Sequence, residues 1–115
     1  MAKMLDRLGW RTWVHVKVMG ANSGVSHDVD VLSVRRKEGR ICLIECKTGD
    51  VTQKDVYNFW TKVYDTGAHL GLLAMIQGLS DPEALLFIEK NPYLRLLENI
   101  GECVDEQIMS RLKEI

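Results

Sequence analysis

Residues 27–47 read HDVDVLSVRRKEGRICLIECK, and this stretch decides the fold. Two runs rich in Val, Leu and Ile, 28–36 and 41–47, flank Glu38-Gly39, a dipeptide that suits a hairpin turn. The second run opens with four apolar residues, which is the pattern of a central strand covered on both faces. The stretch therefore predicts two adjacent antiparallel strands.

The rest of the chain adds helices and strands around this hairpin. Thr52 is a good N-cap with Asp55 three residues on, and Gly67 is a typical residue for the end of a helix. The further predicted elements are a helix at 2–8, a strand at 10–18, a loop at 20–24, a helix from Thr52 to about Thr66, a strand at 70–77, a helix from Pro82 to about Lys90, a strand at 93–98 and a helix at 103–114.

The order of these elements is α-β-β-β-α-β-α-β-α. Antiparallel strands come first and helix-linked strands follow, so we predict the α/β class with a mixed sheet and helices on both faces. The length of 115 residues suits one domain, 1–115. In the strand at 10–18, alternation predicts one face made of Trp10, Val14, Val16 and Val18.

Composition and charge limit the classes of function. The chain is 46% hydrophobic and 27% charged, which is ordinary for a globular protein with a core. No apolar run is long enough to span a bilayer and the first residues lack a signal-peptide pattern, so we expect a cytoplasmic protein without membrane contact. The net charge of −1 gives no support for nucleic-acid binding, because dedicated non-specific binders are usually basic.

The three cysteines favour reduced thiols over a metal site. An odd number cannot form a closed set of disulfides. Cys42 and Cys46 share a spacing that zinc ligands use, but no second Cys/His pair with zinc-like spacing follows. We therefore expect buried thiols there.

Charged residues inside the two central strands are the most informative feature. Asp28 and Asp30 interrupt a Val-rich strand, and Glu45 and Lys47 end a run that reads as buried. Asp is depleted in strands, and buried carboxylates are costly unless they are paired or bind metal. Because side chains alternate along a strand, we expect each pair to share a face, with Asp30 beside Glu45 across the hairpin.

These residue types suit one reaction. Mg²⁺ binds hard oxygen ligands, usually one or two carboxylates, with water and phosphate completing the set. A bound divalent ion makes water a good nucleophile near neutral pH, and Lys47 can orient that water or balance charge on a phosphate. The backbone carbonyl of Cys46 is a further candidate metal ligand, since it lies between Glu45 and Lys47.

The pattern of Asp30, a hairpin and then Glu45-Cys46-Lys47 resembles the PD-(D/E)xK nuclease superfamily. The match is most similar to the nuclease domains of CRISPR-associated effectors activated by cyclic oligonucleotides, over residues 27–49. The resemblance implies a restriction-endonuclease-like core, with Asp30 and Glu45 as metal ligands, Lys47 as catalytic lysine and Asp28 in a secondary role. It also implies Mg²⁺ or Mn²⁺ as the cofactor, and often a homodimer.

Two departures and two alternatives accompany this resemblance. Many relatives carry a further Glu on the first helix, where this chain has only Asp6. The 115 residues also hold no sensor domain of the CRISPR-associated relatives, which suits either a stand-alone protein or one domain of a longer chain. The expected function is a metal-dependent endonuclease that hydrolyses phosphodiester bonds, with DNA rather than RNA as partner. An RNA-directed enzyme with the same site, and an inactive binding or assembly module on the same fold, remain alternatives.

Several other residues have both a functional and an ordinary reading. Lys54 follows the start of a helix, where phosphate is attracted, but it can also be a surface lysine. Trp13 lies on the polar face of its strand and suits an interface or stacking, whereas Trp60 belongs to an apolar stripe and suits the core. The basic residues around the hairpin suit either phosphate contact or a solvated tip: Arg35, Arg36, Lys37 and Arg40.

Overall fold

The computed structural model describes residues 9–35, 37–76, 79 and 81–98. The single domain predicted for 1–115 stays a prediction. The elements are β1 (Trp10–Met19), β2 (Ser26–Arg35), β3 (Arg40–Lys47), α1 (Gln53–Thr66), β4 (Leu70–Met75), α2 (Pro82–Lys90) and β5 (Leu94–Leu97).

The five strands form one mixed sheet in the order β1-β2-β3-β4-β5. β1, β2 and β3 pair antiparallel, and β3, β4 and β5 pair parallel. The hairpin between β2 and β3 closes on the pair Arg35 and Arg40, with Gly39 in the left-handed conformation at φ 64°. The predicted α/β class and mixed sheet are confirmed, and β3 is the central strand.

Both described helices pack on the same face of the sheet. Their buried side chains share one core cluster with Leu43, Leu73 and Leu94. Two successive right-handed crossovers in the same direction along a sheet place both helices on one side. The predicted helices at 2–8 and 103–114 lie outside the described residues, so helices on both faces remain a prediction.

The opposite face of the sheet is also buried. Leu72 on β4 is 1% exposed, as is its neighbour Leu73 on the helix-covered face. The second cluster therefore makes β4 apolar on both sides, as continuous hydrophobic strands of parallel sheets are. Its members are Trp10, Val31, Cys42, Ile44, Leu70, Leu72, Ala74 and Leu97.

Local signals define helix α1 as predicted. The Thr52 hydroxyl accepts a hydrogen bond from the Asp55 amide, and the Asp55 carboxylate accepts one from the Thr52 amide, which completes a capping box. Gly67 ends the helix with φ 73°, a left-handed conformation in which glycine carries no Cβ penalty.

The alternation predicted for β1 is wrong, because the strand changes face at His15. Trp10 belongs to the second core cluster, whereas Val16 and Val18 pack against the first, and Val14 between them is 52% exposed. His15 has φ 50°, which breaks the period of two that regular strand dihedrals impose.

The facing strand β2 changes face at the same level. Val29 packs in the first cluster and Val31 in the second, with Asp30 between them. The pairing register of β1 and β2 is the same before and after this face change, with Val14 opposite Val31 and Val16 opposite Val29. The period of two is therefore interrupted between Asp28 and Asp30, so it no longer places their side chains on one face of the sheet.

The described cysteines differ in environment. Cys42 is buried, as expected, whereas Cys46 is exposed, so the expectation of a buried thiol is wrong there. Cys46 lies beyond the last paired residues of β2 and β3, where the neighbouring strand no longer covers it. In the described part of the chain, neither helix is long and apolar enough to cross a membrane.

Candidate active site

A polar pocket of about 360 Å³ lies at the carboxyl end of β3. β3 contributes Glu45 and Lys47, which period two places on the same face. Helix α1 covers that face and contributes its polar flank, because its apolar stripe is turned to the core. The remaining lining residues are His27, Asp55, Asn58, Thr61 and Lys62.

Glu45 is buried and paired with two lysines. Its residue exposure is 8%, and its Oε1 accepts a hydrogen bond from Lys62 Nζ at 3.0 Å. Lys47 Nζ lies 3.9 Å from Glu45 Oε2. A buried carboxylate needs such counter-charges, since leaving it unpaired would cost several kcal/mol, on the order of 3–5.

Lys62 is a site residue that the sequence reasoning missed. Its Nζ also donates to the backbone carbonyl of Asp28, at 2.9 Å, and so joins α1 to both central strands. The sequence feature that could have identified Lys62 is its position at the edge of the apolar stripe of α1. It comes directly before Val63 and three residues after Phe59.

Asp30 does not line this pocket and lies at the same edge of the sheet, where β2 and β3 separate. The ladder between the strands ends at Val31 opposite Ile44, and Asp30 Oδ2 then accepts a hydrogen bond from the Cys46 amide at 2.9 Å. Partial burial raises the pKa of the Cys46 thiol, and the carboxylates of Asp30 and Glu45 raise it further. Both carboxylates therefore lie within electrostatic range of one thiol.

Lys47 also acts on Asp55 across the pocket. The pKa of Asp55 is lowered, first by the hydrogen bond from the Thr52 amide, and also by the positive charge of Lys47. The Lys47 ammonium thus lies near carboxylates of both β3 and α1. This arrangement keeps a cation at the pocket with acidic groups on two sides.

The secondary candidates lie outside this pocket. The Asp28 side chain is 83% exposed and pairs with Lys17 at 3.4 Å, so only its carbonyl reaches the site. Lys54 is exposed on the first turn of α1, where its charge also lowers the pKa of Asp55. At the hairpin, Arg35 pairs with Glu38 at 3.2 Å, and Arg36 lies outside the described residues.

Trp13 and Trp60 have different surroundings. Trp13 is 39% exposed, with the Arg11 guanidinium 5.4 Å from its ring centroid. Trp60 packs partly against the first core cluster, and its ring stacks on that of Tyr93 at 5.9 Å. Trp60 is thus partly buried at the edge of the core, whereas Trp13 is on the surface.

A second polar cluster, whose contacts the sequence does not indicate, connects the loop after β1 to α1. Asp65 Oδ2 contacts His27 Nε2 at 2.6 Å and accepts from the Ser23 hydroxyl at 2.5 Å. Both hydrogen bonds lower the pKa of Asp65, and the bond from Ser23 has the larger effect. Gly20 packs against the same carboxylate, where an added Cβ would lie 1.9 Å from Oδ2. His27 is thereby held at the edge of the candidate site.

The oxygen donors near the end of β3 are of the chemical type that a hard divalent cation binds. Asp30, Glu45 and the Cys46 carbonyl offer oxygen atoms of the kind that Mg²⁺ and Mn²⁺ prefer, with the rest left to water and phosphate. The Lys62 ammonium already bonds to two oxygen atoms, of Glu45 and Asp28, so a cation is accommodated beside Glu45. Among the described residues, no group of three or more His, Cys, Asp or Glu side chains is arranged to hold a metal.

The fold and the pocket define the class of the chain: an α/β domain whose mixed sheet has a polar, charged pocket at the end of its central strand. No protein-family model and no curated protein matches the sequence. The chain is similar to AF1548, a protein of unknown function, with a TM-score of 0.69 and 20% identity over 96% of this chain and 62% of that one.

A second similar structure is VC1899 from Vibrio cholerae. The TM-score is 0.71 and the identity 17%, over 96% of this chain and 30% of that one. At these identities the likenesses show a shared fold alone. The chain spans less than two thirds of the length of either protein.

Proposed function

We propose that the chain is a metal-dependent nuclease on a restriction-endonuclease-like core, with Asp30, Glu45 and Lys47 as its active-site residues. The observation that carries the proposal is the hydrogen bond from the Cys46 amide to Asp30, next to buried Glu45. Two carboxylates and a lysine at one strand end match the chemistry of phosphodiester hydrolysis. The resemblance of residues 27–49 to PD-(D/E)xK nucleases supports the same assignment.

The residues of the chain have separable tasks in this proposal. Asp30, Glu45 and the Cys46 carbonyl would hold Mg²⁺ or Mn²⁺, which supplies a water nucleophile near neutral pH and Lewis acidity toward phosphate. Lys47 offers positive charge to the phosphate as negative charge develops on its oxygen atoms. Pairing with Glu45 keeps the Lys47 ammonium at the pocket before substrate arrives.

The test is cleavage of plasmid and single-stranded DNA with Mg²⁺ or Mn²⁺. We expect the wild-type protein to cut DNA, and Asp30→Ala and Lys47→Ala each to lose cutting by at least about a hundredfold, as removal of a general acid–base or electrostatic group does. Circular dichroism and thermal melting should show that both variants stay folded. Lys90→Ala, on the far helix α2, is the matched control and should cut normally. Wild-type cleavage by both site variants would refute the assignment.

The second candidate function is a non-catalytic binding or assembly module. It is favoured by the pairing of Glu45 with two lysines, which satisfies the carboxylate without metal. This alternative predicts no cleavage and no Mn²⁺ affinity by calorimetry. Side-by-side digestion of DNA and RNA separates the proposed DNA enzyme from an RNA-directed one, and light scattering tests the proposed homodimer.

A further inference from the structure

The ammonium group of Lys62 lies between two oxygen atoms at the candidate site. Its Nζ lies 3.0 Å from Glu45 Oε1 and 2.9 Å from the Asp28 carbonyl oxygen. Both are hard oxygen atoms of the type that Mg²⁺ or Mn²⁺ would use. The side chain is still 26% exposed, so the ammonium can leave Glu45 without unpacking the core.

Two cations cannot neutralise the same carboxylate oxygen without repelling each other. Like charges a few ångströms apart repel strongly where protein partly excludes water, and more so when one of them is divalent. A divalent ion at Glu45 therefore weakens the bond between Lys62 and Oε1. The long, flexible stem of lysine allows the ammonium to move to another partner.

We propose that Lys62 is an exchangeable counter-ion of Glu45, which neutralises the carboxylate until a divalent cation binds and then contacts a phosphate of the nucleic acid. The inference rests on the proposed function and adds a positioning residue that couples metal binding to substrate binding. The displaced ammonium remains at the pocket, beside Thr61 and Asn58 of the same helix. Those polar groups suit a phosphate better than an apolar ligand.

The first test is calorimetric titration of the full chain with Mn²⁺. Lys62→Met removes the competing cation and keeps most of the side-chain length, so we expect it to bind Mn²⁺ about tenfold more tightly, within the usual range of coupling between ligands. Lys90→Met, which makes the same charge change on α2, should leave the affinity unchanged. Unchanged or weaker binding by Lys62→Met would overturn the proposal.

A second variant is needed because Lys62→Met can destabilise the fold. Glu45 loses a partner in Lys62→Met, and a buried unpaired charge destabilises a protein. Lys62→Arg keeps a cation, and its planar fork holds a carboxylate more firmly than an ammonium does. We therefore expect Lys62→Arg to bind Mn²⁺ more weakly than the wild type, and equal affinity would count against the exchange.

The Glu45→Gln variant separates failure of the inference from failure of the proposed function. If the wild type binds Mn²⁺ no better than Glu45→Gln, the metal site is absent and both proposals fall. If Glu45→Gln loses Mn²⁺ binding while the Lys62 variants match the wild type, only the role of Lys62 is lost.

The second test measures the phosphate contact through salt dependence. Each neutralised phosphate of a single strand contributes about 0.7 to the slope of log affinity against log salt. With Ca²⁺ present, the wild type should show a slope about 0.7 steeper than Lys62→Met for a short single-stranded oligonucleotide. With EDTA, Lys62 stays on Glu45 and the two slopes should coincide. Equal slopes in Ca²⁺ would overturn the proposed phosphate contact.

Discussion

Asp65 holds the loop after β1 against helix α1 through a carboxylate that is ionised at neutral pH. Hydrogen bonds from Ser23 and His27 lower its pKa in the folded protein. A lowered folded pKa means that the stabilisation is fully present above the ordinary value near 3.9 and is lost as the pH falls through the folded value.

We expect Asp65→Asn to lower the melting temperature at pH 7, and the difference from the wild type to shrink below about pH 4. Amide substitution keeps the size of the side chain and removes the charge that its partners bind. Asp50→Asn, the same change at an exposed position, is the control. Thermal melts from pH 7 down to pH 3 check this, and a difference that stays constant over that range would contradict it.

Single residues also mark the limits of what the sequence predicts. Asp30, Glu45 and Lys47 could be selected as candidates because charges inside apolar strands stand out in the local sequence. Lys62 and the pair of His27 with Asp65 could not, because their contacts join residues 17 and 38 positions apart. No periodic pattern encodes such packing.

Helix α1 carries Lys62 and three other residues that line the candidate site, so its first turn helps to position that pocket as well as to stabilise the fold. The hydroxyl of Thr52 accepts from the Asp55 amide at 3.3 Å, which satisfies a backbone donor that the helix leaves open. Because the cap is exposed, water replaces part of it when the hydroxyl is removed.

We expect Thr52→Ala to lower the free energy of unfolding by about 1 kcal/mol. Thr52→Ser keeps the hydroxyl and should restore wild-type stability. Urea denaturation followed by circular dichroism measures both. Equal stability of the Ala and Ser variants would show that the cap contributes nothing.

The elements themselves differ in how well the sequence predicts them. The limits of α1 follow from Thr52, Asp55 and Gly67, which act within one turn. The face change in β1 could not be predicted from the sequence. Polar and apolar residues alternate regularly through His15, and a positive φ at a residue other than glycine is uncommon.

For the whole molecule, the two buried faces of β4 make a direct prediction. Leu72 and Leu73 point to opposite clusters and are each 1% exposed. We expect Leu72→Ala and Leu73→Ala each to cost about 2–5 kcal/mol of unfolding free energy. Leu86→Ala, at a site 50% exposed, should change it by less than about 0.5 kcal/mol.

Equilibrium denaturation of the three variants decides the point. A small loss for Leu72→Ala together with a large loss for Leu73→Ala would mean that only the helix-covered face is a true core. For the whole molecule, the mixed sheet was predictable because hairpin-linked strands come first and helix-linked strands follow. The shared side of α1 and α2 was not predicted, although it follows from the handedness of the crossovers.

The matched face change at His15 and Asp30 has a consequence for how this sheet can vary in length. Deleting one residue from β1 alone would shift residues 10–14 against β2 and turn the buried side chain of Trp10 to the other face of the sheet. Adding one residue to each strand at this level would preserve the pairing on both sides and keep Asp30. Natural variants of this ribbon should therefore gain residues in pairs, one on each strand.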